Sequence, residues 1–155
     1  MSAPRIPANP GTPWLVAGGW LSAAASLLHI GCIIGGEKWY RFFGAGEEIA
    51  MAVAAGKMWP HLLTLGIAVV LAIWAAYAFS GAGRMRRLPL LRTGLVVITA
   101  IYLLRALLLL PALVINPGVL TTFDVVSSLI VLVYGLAYAL GTVWGWPAMR
   151  RAVPA

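Results

Sequence analysis

Few residues in this chain can do chemistry, and they gather in a few places. Two histidines, His29 and His61, one aspartate, Asp124, and three glutamates are the side chains suited to exchanging protons near neutral pH. All three glutamates, Glu37, Glu47 and Glu48, fall within residues 35–61, GGEKWYRFFGAGEEIAMAVAAGKMWPH. Arg105 interrupts a long apolar run, with Tyr102 one helical turn before it. An imidazole near a carboxylate suits proton transfer, and His29, Glu47 and Glu48 are the candidates to carry it. A guanidinium within apolar surroundings suits an anionic or polar head group. His29 and His61 could also ligate haem from two facing helices, or join a glutamate on zinc, although no HExxH spacing is present. A single cysteine, Cys32, leaves no internal disulfide, CxxC pair or thiolate cage.

The surroundings of these residues are set by composition. Of 155 residues, 62% are hydrophobic and 10% charged, and mean hydropathy is +0.95, far from the soluble average of about 45–50% apolar and 25% charged. The chain reads as an all-α integral membrane protein. Its net charge of +7 does not indicate nucleic acid, because the cations lie at the ends of apolar runs and not on a basic face with interleaved aromatics.

Four apolar runs, at about 14–34, 59–80, 88–110 and 122–146, are each long enough to cross about 30 Å of hydrocarbon at 1.5 Å per residue. They predict one four-helix transmembrane bundle over 14–146. Residues 1–13, rich in proline and small residues, read as a flexible tail, and 147–155 as a basic tail. The first run continues to Ile34, too long for the core of a cleaved signal peptide. The loop GAGRMRRLP carries Arg84, Arg86 and Arg87 without an acid. Together with the basic tail and Arg5 it predicts both termini in the cytoplasm of a bacterial-type inner membrane.

This topology puts His29, His61, Arg105 and Asp124 in the outer half of the membrane, beneath residues 35–58, which are too short and too polar to cross. That segment is expected to be an interfacial lid, with Trp39, Tyr40, Phe42 and Phe43 at the interface and a helix starting near Glu47. From Asp124 a polar stripe continues through Ser127, Ser128, Gly135, Tyr138 and Thr142. Each candidate also has a structural role open to it. Arg105 can snorkel or pair with Asp124, Asp124 can cap its helix after Thr121 and Thr122, and Glu47 and Glu48 suit a first helical turn. His29 can bond a neighbouring helix, and His61 can sit exposed at an interface.

Length, four-helix plan and an outer cluster of histidine, acids and aromatics distantly resemble the emopamil-binding/sterol-isomerase superfamily, where carboxylates and a histidine move a proton on an apolar ligand. Small bacterial families of the DoxX type are similar in the same limited sense. No motif matches residue by residue, so no catalytic residue is carried over from either. Small multidrug transporters share the length but place a glutamate in their first helix, which has none here. The residues themselves point to an amphiphile with a polar or anionic head, bound by Arg105, His29, His61, Tyr102 and Asp124 with Glu47 and Glu48 at the rim. Proton transfer on that ligand is open. The other classes are a structural subunit of a larger membrane complex, a homo-oligomer, or a small proton-coupled exporter; no metal and no nucleic-acid partner are expected.

Overall fold

The computed structural model describes residues 6–115, 118 and 120–150; Arg5, Arg151 and part of the 116–120 loop lie outside them. Described residues form helices α1 (Thr12–Gly35), α2 (Glu37–Phe42), α3 (Glu47–Ala54), α4 (Trp59–Gly81), α5 (Leu91–Leu107), α6 (Leu109–Ile115) and α7 (Thr122–Gly145), with a final 3-10 turn at Ala148–Arg150. Four stretches are long and apolar enough to span a membrane: Thr12–Gly35, Trp59–Gly81, Leu91–Ile115 and Thr122–Gly145. The chain divides into two compact units, Met1–Leu21 with Trp74–Ala155, and Ser22–Ile73.

In the first unit, small residues let helices approach closely. A Cβ on Gly11 would fall 2.3 Å from the Gly141 carbonyl oxygen, so the chain entering α1 lies directly on α7 backbone. Ile6 and Gly11 are buried here, so the expected tail 1–13 is packed from Ile6 onward in part. Leu15, Leu95 and Met149 are fully buried. The Arg87 guanidinium donates to the Met149 carbonyl at 2.7 Å and fixes the 3-10 turn. Ser80, also buried, accepts from Leu88 N–H at 2.9 Å and donates to the Arg86 carbonyl at 3.0 Å, organising the loop before α5.

The third apolar stretch departs from expectation at both ends. It starts at Leu91, after Pro89 and a left-handed Leu90 (φ 50°). It also passes Pro111, because α5 gives way at Leu108 and α6 restarts at Leu109. Pro111 thus falls in a first helical turn, where its missing N–H leaves no bond unmade.

In the second unit, Cys32, Tyr40 and Ala50 form a small core, covered by Phe43, Ala45, Ile49 and Val53. The segment joining α1 to α4 is two short helices. Both α2 and α3 end in Schellman motifs: Ala45 N–H returns to Tyr40 C=O at 3.0 Å, and Lys57 N–H to Ala52 C=O at 2.9 Å, with Gly44 and Gly56 at positive φ. Ser26 donates to the Ala68 carbonyl at 2.7 Å, setting the register between the C-terminal part of α1 and α4.

Candidate functional site

The predicted site residues fall into both units: Tyr102, Arg105 and Asp124 in the first, His29, Glu47, Glu48 and His61 in the second. Arg105 lies in the last turn of α5, exposed at its side chain's surface. Its guanidinium donates to Ser128 Oγ at 3.3 Å. Asp124 is engaged elsewhere, in a capping box at the start of α7. Its carboxylate accepts from Thr121 N–H at 2.8 Å, and its own N–H donates to Thr121 Oγ1 at 3.2 Å. Among the described residues the ion pairs are Arg41 with Glu37 and with Glu47, so Arg105 has no carboxylate in salt-bridge range. A guanidinium has five N–H donors; one long bond to a neutral hydroxyl uses one of them, and the charge of Arg105 reaches the Asp124 carboxylate only at longer range.

Tyr102 is buried among aromatic rings. It meets Trp74 edge-on at 4.8 Å between centroids, Tyr134 at 5.5 Å and Tyr138 at 5.4 Å. Tyr138 in turn donates to the Trp74 carbonyl at 3.0 Å. Tyr102 therefore braces the helices one turn below Arg105.

In the second unit, a chain of hydroxyl bonds orients His61. Thr64 Oγ1 donates to the Pro60 carbonyl at 2.8 Å, and buried Tyr40 donates to Thr64 Oγ1 at 3.0 Å. Each hydroxyl has one proton, so the contact of 3.3 Å between Tyr40 Oη and His61 Nδ1 must be donated by the imidazole. Neutral His61 is thereby held as the Nδ1–H tautomer, with its Nε2 lone pair uncommitted. His29 reaches the same state by a different route. Its Nδ1 lies 2.7 Å from the Ala25 carbonyl oxygen, an acceptor only, on its own helix and not on a neighbour. Both imidazoles thus present Nε2 as an acceptor, the atom that takes up a proton or meets a donor.

The glutamates are less concentrated than the sequence suggests. Glu47 pairs with Arg41, which also bonds Glu37 at 2.9 Å. The bond to Glu47, then that to Glu37, holds the Arg41 guanidinium above its ordinary pKa. Glu48 is exposed and lines an open cavity of about 350 Å³ with Met51, Ala52, Ala55, Lys57 and Trp59. Among the described residues no three of His, Cys, Asp and Glu gather closely enough to hold a metal ion.

Two participants were not singled out by sequence. Tyr40 is one of four interfacial aromatics, distinguished by its hydroxyl, and Thr64 is a single hydroxyl within an apolar run. Their connection spans 21 and 24 residues and leaves no local pattern. Comparison with protein-family models, curated proteins and solved structures finds no match for this chain.

Proposed function

We propose that the chain is a four-span protein of a bacterial-type inner membrane, with both termini cytoplasmic, that binds an amphiphile through its polar or anionic head in the outer half of the membrane. Residues 35–58 then lie at the outer surface as an interfacial cover. The observation that carries this reading is Arg105: a guanidinium at the end of an apolar helix whose protein partner is one neutral hydroxyl. Unpaired charge in hydrocarbon is costly, and an anionic head group supplies the missing acceptors. Ser128 orients the guanidinium, and Tyr102 fixes the helix that presents it. Proton transfer is the chemistry open to the chain beyond binding, with the Nε2 atoms of His29 and His61 as acceptors.

The test is the amphiphile content of protein purified in mild detergent, measured by extraction and mass spectrometry. Wild type and Arg105→Lys retain the ligand, while Arg105→Leu, with helix content intact by circular dichroism, loses about tenfold, the scale of a charge-assisted contact. Equal content in wild type and Arg105→Leu overturns the proposal. Purification only within a larger assembly, with Arg105→Leu affecting stability alone, identifies a structural subunit instead.

A further inference from the structure

The opposite end of α5 from Arg105 borders a second feature, contained wholly in the first unit. Helix α4 ends in a Schellman motif, with Gly83 N–H on Ser80 C=O at 3.1 Å and Arg84 N–H on Phe79 C=O at 2.9 Å. This motif characteristically brings the residue after the glycine back against the last helical turn. Here it places Arg84 beside Phe79.

The Phe79 ring rests on α1 at Gly19, where an added Cβ would come within 2.8 Å of it. It also meets Trp20 edge-on, with centroids 5.5 Å apart. Val16, one turn before Trp20, and Met85 complete a cavity of about 500 Å³ lined by Val16, Trp20, Phe79, Arg84 and Met85. Four walls are apolar and one is a guanidinium.

The charge of this loop has no internal balance. Arg87 is engaged with the Met149 carbonyl, and Arg92 lies over the Trp146 ring at 3.5 Å. Arg84 and Arg86 are exposed and form no ion pair among the described residues. No acidic residue occurs between Glu48 and Asp124. At this end too, Trp14 and Trp144 pair edge-on at 5.8 Å, and tryptophan of this kind marks the head-group level of a bilayer.

We infer that this groove is a binding site for an anionic phospholipid, with the phosphate on Arg84 and an acyl chain along Val16, Trp20, Phe79 and Met85. Charge complementarity selects an anion, and the apolar walls select one that carries a hydrocarbon chain. By the positive-inside distribution the site opens to the cytoplasmic leaflet, where anionic head groups collect against basic loops. It is separate from the head-group site at Arg105.

The experiment uses the full chain in detergent and measures binding of phosphatidylglycerol, of phosphatidylcholine with the same chains, and of inorganic phosphate alone, by native mass spectrometry and thermal stabilisation. Phosphatidylglycerol binds about tenfold more tightly than phosphatidylcholine, and inorganic phosphate gives no stabilisation. Arg84→Gln removes that preference, and Arg84→Lys keeps most of it. Val16→Trp fills the groove and weakens phosphatidylglycerol binding with every arginine in place. Arg150→Gln, an equal loss of charge outside the groove, leaves binding unchanged, and in an Arg105→Leu background Arg84→Gln still removes the preference, so the two sites fail independently. Equal affinity for the two lipids, equal effects of Arg84→Gln and Arg150→Gln, or no effect of Val16→Trp overturns the inference. Stabilisation by phosphate alone identifies a simple anion site, and self-association that buries Trp20 assigns the groove to a second copy; either result also overturns it.

Discussion

Arg105 and Asp124 are close enough in sequence pattern to suggest a pair, yet each is arranged for a different task. Asp124 is committed to Thr121, which is what the run Thr121-Thr122-Phe123-Asp124 signals locally. Caps are legible in a sequence because donor and acceptor are three residues apart. Thr121→Ala should lower the stability of the purified protein by the ~1 kcal/mol typical of an N-cap, read as a lower midpoint of thermal unfolding. The Tyr40–His61 contact was not legible, because its partners meet only after α2 folds back onto α4. Its consequence is specific to one atom. Nitrogen NMR of labelled histidine should show His61 protonated at Nδ1 when neutral, and Tyr40→Phe should release it into a mixture of tautomers. An unchanged His61 signal in Tyr40→Phe would contradict the bonding order derived from Thr64 and Pro60.

The helices as elements were largely visible in the apolar runs, and their ends less so. Pro111 reads as a terminator because proline cannot continue an α-helix interior; it does not end the stretch here because Leu108 has already broken the helix and α6 starts afresh. The turns after α3 and α4 are alike in backbone and differ in surroundings. Gly56 has nothing within 4 Å of an added Cβ, whereas at Gly83 the Ile6 carbonyl oxygen would be 2.0 Å away. Gly56→Ala should therefore cost only the left-handed strain, about 1–2 kcal/mol. Gly83→Ala should cost clearly more, since Ile6 must also be displaced. Chemical denaturation of the two variants in the same detergent checks the order; equal losses would show that Ile6 does not pack there.

At the scale of the whole chain, composition alone indicates four helices suited to a membrane, because 62% hydrophobic content leaves little else to build. Which faces of those helices meet was not legible. Helices that are apolar all round carry almost no periodic signal, and close approaches such as Gly11 on Gly141 depend on what is missing from a side chain. The proposed topology predicts that a cysteine introduced at Gly118 reacts with a membrane-impermeant maleimide added to intact cells. One introduced at Arg86 should react only after lysis, and the native Cys32, being buried, stays silent. Reversed labelling would invert the membrane orientation and move Arg105 to the inner half. The most direct test of the proposed function is an experimental structure of the protein in native lipid. The prediction is density for a polar or anionic head group within hydrogen-bonding distance of the Arg105 guanidinium, with Ser128 still alongside. A guanidinium paired with Asp124, or extended past the helix end with no ligand beside it, would contradict it.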